Sequence, residues 1–230
     1  MLPPHRVIRR LIGALIFAAM TLATTQAADR VVLLIAGKPS HGPGQHEHNA
    51  GVLLLQKCLA DVSGLTTRVA LHGWPQDPAV LEGVDAIVIY ADGGRNHPAI
   101  VDGHLAVLNR LMSKGTALGL IHYAVEPART GEGRSEFLHW AGGYFEIHWS
   151  VNPSWEPVLQ LADGHPILRG VQPFRVNDEW YYHLRFPEGM RGVTPLLTAV
   201  AGPETLTRPD GPHEGNPAVR ASVARGEPQV

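Results

Sequence analysis

Histidine is the side chain that changes charge nearest neutrality, so clusters of it mark places where protons or metal ions are handled. The sequence places His41, His46 and His48, with Glu47 between the last two, soon after an apolar run ending at Ala36. His46 and His48 are two positions apart, a spacing that points both imidazoles the same way on extended chain and offers a pair of metal ligands. It is not the H-E-x-x-H spacing that sets two imidazoles on one helical face, so a zinc-protease reading has no direct support. The same residue types also serve as loop polarity or as helix caps.

His122 is the stronger candidate, because it directly follows the apolar segment Thr116 to Ile121, where a buried strand gives way to a turn. An imidazole there can act as general acid or base, or bind a metal through one nitrogen; the alternative is a hydrogen-bonded histidine supporting the loop. Glu126 is a partner carboxylate of suitable type, either orienting an imidazole or accepting a sugar hydroxyl, and Tyr123 adjoins it. Asp92 follows a further apolar run, Asp85 to Tyr90. Asp178-Glu179-Trp180-Tyr181-Tyr182-His183 mixes acids, aromatics and a histidine in a way that suits stacking and hydrogen bonding to polyols. A core aromatic strand explains Trp180 and Tyr182 equally well.

The candidate set is therefore His122, Glu126, Asp178 and Glu179 for catalysis, with His41, His46, Asp92, Tyr123, Tyr181 and His183 for substrate. His46 and His48 are the metal-ligand candidates, and a divalent metal is the only cofactor these residues suggest. The turn-rich Asp210-Gly211-Pro212-His213-Glu214-Gly215-Asn216 reads as a surface loop able to fold back over the same edge.

These residues need a scaffold, and apolar periodicity supplies one. Val31 to Ala36 is a continuous apolar run, as in a parallel strand covered on both faces, and the turn-rich Gly37 to Gly44 follows it. Leu54, Leu55, Cys58, Leu59 and Val62 recur at helical spacing, which predicts a helix burying Cys58 and stopping near Gly64. Thr66 to Leu71, Asp85 to Tyr90 and Thr116 to Ile121 read as further strands. Val101, Leu105, Leu108 and Met112 mark a second helix between Pro98 and Gly115. Strands and helices alternate, which predicts a doubly wound, mostly parallel α/β sheet in flavodoxin order. In such a sheet ligands bind beyond the carboxyl ends of the strands, where strand order reverses, and all three histidine- or acid-bearing loops end there. The second half is less regular, with the aromatic Tyr144 to Trp149 and a strand around Pro157 to Leu161, read as late additions.

The 230-residue chain begins with Arg6, Arg9 and Arg10, the apolar stretch Leu11 to Ala19 and the small residues before Ala27. This is the layout of a secretory signal cleaved after Ala27 or Ala28, and the run is short of the about 20 residues a membrane span needs. The expected product is an exported, periplasmic or secreted domain, residues 28–230, without a stable membrane anchor. Lys and Arg number 19 against 21 Asp and Glu, which gives no electrostatic case for a nucleic-acid partner and favours small-molecule ligands. A single cysteine excludes an internal disulfide. Arg225 to Val230 resembles the approach to a strand, so the chain is expected to be truncated at its C-terminal end.

Three motifs in order carry a resemblance: Gly37-Lys38-Pro39-Ser40-His41-Gly42-Pro43-Gly44 with His46-Glu47-His48-Asn49-Ala50-Gly51, then Gly119-Leu120-Ile121-His122-Tyr123-Ala124, then Asp178-Glu179-Trp180-Tyr181-Tyr182. Together they resemble the ThuA-like, or trehalose-utilisation, family from about Val31 to Asn216. The resemblance implies a fold of the class I glutamine amidotransferase type, in which the turn after a central strand carries a nucleophilic cysteine. Here that turn carries His122, and without a thiolate glutamine hydrolysis is rejected. What the resemblance implies instead is use of trehalose or a related disaccharide, through keto-sugar intermediates, and a chain that continues past Val230. Three functions follow as expectations: an enzyme acting on a disaccharide or keto-glycoside with His122 as acid or base, a non-catalytic sugar-binding module, and a metal-dependent hydrolase.

Overall fold

The computed structural model describes residues 29–206 and 217–229. The N-terminal segment read from sequence as a secretory signal, and His213 with its loop, lie outside the described residues. The elements in chain order are β1 (Arg30–Ala36), α1 (His48–Leu59), β2 (Leu65–Ala70), β3 (Ala86–Tyr90), α2 (His104–Met112), β4 (Ala117–Ile121) and α3 (Arg134–Trp140). They continue with β5 (Ser154–Trp155), β6 (Gln160–Leu161), β7 (Asp178–Glu179), β8 (Leu197–Val200), α4 (Pro217–Ala224) and β9 (Pro228–Gln229). No described helix is long and apolar enough to cross a membrane.

The four long strands form one parallel sheet in the order β2-β1-β3-β4. This is the flavodoxin order, with its reversal between β1 and β3. Leu33, Leu34, Ile35 and Ala36 are all buried, which is why β1 reads as an unbroken apolar run: both of its faces are covered. Leu33 and Ile35 join Ile87, Ile89 and Leu108 of α2 on one face. Leu34 and Ala36 join Val52 of α1 on the other. One helix on each side makes the sheet doubly wound. Each fully buried aliphatic side chain contributes roughly 1.5–3 kcal/mol, so these two layers fix the strand ends from which the loops spring.

One helix face departs from expectation. α1 buries His48 and Val52, whereas Leu54 is 61 % exposed and Cys58 is exposed. The correction has a simple cause. The face that meets the sheet runs through His48, Val52, Leu55 and Leu59 at i, i+4, i+7 and i+11, and Cys58 precedes that line by one residue, about 100° around the helix. Gly51 sits on this buried side, and a Cβ there would lie 2.3 Å from the Tyr90 ring.

The second half forms small antiparallel pairs that meet the first half beyond the end of β4. β5 pairs with β7, and β6, β8 and β9 form a three-stranded sheet. Val151, Tyr182, Ala201, Leu206, Val219 and Val223 build its own core. Alternation along the segment after β7 then divides the labour: Tyr182 is buried in that core and bonds Thr205 at 2.7 Å, so Glu179 and Tyr181 face the opposite way, toward the end of β4.

Candidate functional site

The reversal of strand order sets the loop after β1 beside the turn after β3. The two backbones come close at Gly37, where a Cβ would stand 2.7 Å from that of Ala91. His46 then reaches Asp92, with Nδ1 2.6 Å from Oδ1. A carboxylate only accepts, so Nδ1 carries the proton and Nε2 of a neutral His46 is a lone pair. Ser40 braces the loop, its Oγ 3.1 Å from His41 Nδ1 and 3.2 Å from His46 Nδ1. Burial works against the charge on Asp92, but hydrogen bonds from Ser40 and His46 and the nearby imidazoles outweigh it and hold its carboxyl below the usual range.

His122 ends β4 with φ 59°, a left-handed backbone at a non-glycine residue, and leads into the tight turn His122–Val125. Such a conformation costs of order 1–3 kcal/mol and persists where surrounding structure holds it. It projects the imidazole between the two halves of the molecule. Nε2 lies 3.3 Å from His46 Nε2, and Nδ1 lies 3.4 Å from the Tyr181 hydroxyl and 4.0 Å from Glu179 Oε2. Tyr181 donates to Glu179 at 2.9 Å, and Asn152 donates to the other oxygen of Glu179 at 2.8 Å. Burial, then the neighbouring His46, push His122 below the ordinary histidine pKa, with Glu179 opposing. Burial followed by the Glu179 charge keeps the Tyr181 phenol protonated.

Asp92, His46, His122, Tyr181 and Glu179 thus form a chain of four links capped at each end by a carboxylate. Neutral His46, neutral His122 and Tyr181 supply one proton each, three for four links. The chain is one proton short. It can take up a single proton, fill its last link and later release it, the property required of a general base that returns as an acid.

Beside the chain opens a cavity of about 850 Å³, lined among others by His41, Asp92, Arg95, Tyr123, Glu126 and Arg129. Asp92 belongs both to this wall and to the chain, and Tyr123, which follows His122, also lines the wall. Glu126 is 2 % exposed; burial raises its carboxyl pKa, against which Arg129 at 3.3 Å acts. Burial and the Glu126 charge likewise raise Tyr123. Gly93 is required where this wall folds, since a Cβ would lie 2.4 Å from Glu126 Cβ and 2.5 Å from the Tyr123 carbonyl. A second cavity of about 390 Å³, lined in part by Lys38, Trp74 and His104, shares Asp92, Arg95 and Asn96 with the first.

Of the residues singled out from sequence, His46, Asp92, His122, Glu179 and Tyr181 meet in the chain, and His41, Tyr123 and Glu126 border the cavity beside it. Asp178 is exposed, its carboxylate accepting from the Glu179 N–H at 2.8 Å, and strand alternation turns it from the chain. His183 stands apart, stacked on Trp149 with Nδ1 3.0 Å from the Trp149 carbonyl, and burial lowers its pKa. His48 is buried, donating from Nδ1 to the Lys38 carbonyl at 3.1 Å. Ser40, Tyr90 and Asn152 are added by the structure. Tyr90 lies edge-on to both His48 and His122, an arrangement foreshadowed in sequence only by its place at a strand end.

Comparison with solved structures gives two likenesses of fold. A ThuA-like protein from Parabacteroides merdae ATCC 43184 matches with TM-score 0.55 and 17% identity over 81% of this chain and 73% of that one. A ThuA-like protein from Bacteroides uniformis ATCC 8492 matches with TM-score 0.53 and 12% identity over 77% and 71%. A comparison with the curated proteins finds no match. The family model for ThuA, trehalose utilisation, matches residues 32–217, which span the parallel sheet, the proton chain and the cavity wall. The chain therefore belongs to the ThuA, trehalose utilisation, family.

Proposed function

We infer that this protein acts on a disaccharide or keto-glycoside in carbohydrate metabolism, with His122 as the acid and base that moves a proton at a carbon beside a ketone. The observation that carries this reading is the four-link chain one proton short of filled, ending at a cavity wall. When a C–H bond beside the ketone breaks, its electron pair passes to the carbonyl oxygen as an enolate and its proton fills the empty link, held on His122. Glu126, whose carboxyl pKa burial raises against the pull of Arg129, and Tyr123 are suited to hydrogen-bonding sugar or enolate oxygens from the same wall. The near-balance of charge and the polar lining favour an uncharged, hydroxyl-rich ligand over nucleic acid. The basic, apolar and small-residue N-terminal segment supports the reading that the protein is exported and acts in the periplasm or outside the cell.

The direct test incubates the protein with oxidised and unoxidised disaccharides and follows products by NMR. Conversion of the keto sugar alone is the expected result. Saturable sugar binding with neither form converted would replace this reading by a non-catalytic sugar-binding module.

A further inference from the structure

The proton chain leaves part of the histidine cluster unused. One donor atom each from His41, His46 and Asp92 lies within 4.8 Å of the other two. These residues come from the loop after β1 and the turn after β3, and the packing of the strand ends holds them together. His41 is exposed, so this group is open to solvent on one side.

An independent feature points at the same carboxylate. His48 is 1 % exposed and its Nδ1–H is spent on the Lys38 carbonyl, so its Nε2 carries a lone pair. That Nε2 is buried without a hydrogen-bond partner and stands 3.8 Å from Asp92 Oδ1. A buried nitrogen lone pair facing a carboxylate oxygen is repelled by it and left without a partner, which is costly unless a cation joins the two. Ligand atoms about 2.0–2.2 Å from a tetrahedral ion lie a little over 3 Å apart, so small side-chain adjustments bring this nitrogen and oxygen to ligating distance.

We propose that His41, His46, Asp92 and the Nε2 of His48 form a binding site for one divalent transition-metal ion. Imidazole nitrogens with a single carboxylate suit zinc, manganese, iron, cobalt or nickel rather than calcium or magnesium, which prefer all-oxygen shells. The ion takes the place of the proton shared by His46 Nδ1 and Asp92 and leaves His122, Tyr181 and Glu179 unliganded. With the ion bound, the first link of the proton chain becomes a metal bridge rather than a hydrogen bond, so the site shares His46 and Asp92 with the proton-transfer reading, and metal uptake and sugar turnover are read by different measurements.

The test uses the tag-free full chain, stripped with chelator and titrated with Co²⁺ alone while visible absorption is recorded, with Zn²⁺ calorimetry alongside. Uptake of one equivalent with the ligand-field bands of a nitrogen- and oxygen-bound ion is expected. His41→Ala and Asp92→Asn each weaken binding by at least about 10-fold, while His139→Ala, at an exposed position on α3, leaves it unchanged. No saturable uptake, or uptake that survives His46→Ala and Asp92→Asn together, overturns the proposal. Because His41 is exposed, its variant keeps the test decisive even if substitution of buried His48 prevents folding. Sugar turnover is not read in this experiment, so failure to bind metal and failure of the proposed reaction are told apart.

Discussion

His46 and Asp92 meet at 2.6 Å across the point where the order of the parallel strands reverses. They are far apart in sequence and belong to loops that only the β1–β3 pairing makes neighbours. The contact fixes the tautomer of His46 and so determines that its Nε2, facing His122, is an acceptor.

Asp92→Asn tests that assignment. An asparagine offers a donor as well as an acceptor, so His46 is no longer forced to carry its proton on Nδ1. Turnover of an oxidised disaccharide is expected to fall about 10–100-fold, with little change in thermal stability. Unaltered turnover would separate Asp92 from the chain.

Two adjacent tyrosines distinguish chemistry from packing. Tyr181→Phe removes one proton and two links, to His122 and to Glu179, and turnover should drop at least about 10-fold while stability changes by no more than about 1 kcal/mol. Tyr182→Phe removes only the bond to Thr205 in the second core, so it should cost about 1 kcal/mol of stability and leave turnover unchanged. Urea unfolding and steady-state rates on the pair give both readings.

The left-handed backbone at position 122 makes a stability prediction independent of substrate. A glycine accepts φ near 59° without the Cβ penalty that alanine pays there. His122→Gly should therefore be more stable than His122→Ala by about 1 kcal/mol, although both lose the imidazole. Equal stabilities would mean that the turn relaxes out of this conformation when the histidine is removed.

His97 supplies the clearest pH dependence. Burial lowers its pKa to about 4, and the ring is held neutral between the Ala124 carbonyl and the Ala99 N–H. The unfolded chain binds a proton at about pH 6.5 that the folded chain refuses until about pH 4. Its contribution is thus fully present above pH 6.5 and is lost as pH falls toward 4, by roughly 3 kcal/mol. Urea unfolding of the protein and of His97→Gln at several pH values should show the wild type losing more stability over that window; parallel pH profiles would refute the assignment.

The fold was legible because its signals are local. The apolar runs at Val31 to Ala36 and Asp85 to Tyr90 and the alternation of strand and helix suffice to give a parallel doubly wound sheet. The loops bearing His41, His46, Asp92 and His122 follow from the rule that ligands gather at strand carboxyl ends. The error at Cys58 arose because Leu54, Leu55, Leu59 and Val62 allow two neighbouring helix faces, and only contact with Val32, Leu34 and Tyr90 selects between them. Asn152 could not be found from sequence, since its role depends on a short antiparallel pairing of two-residue strands that leaves no periodic trace. For the same reason Asp178 and Glu179 looked equivalent, and strand alternation separates them.

The central claim is that His122 holds the proton transferred from substrate. The most direct measurement is exchange of deuterium from D₂O into the carbon beside the ketone of an oxidised disaccharide, followed by NMR with wild type and His122→Gln. The chain mechanism predicts enzyme-dependent exchange that falls by about 100-fold or more in the variant. Exchange at the wild-type rate in His122→Gln would contradict it.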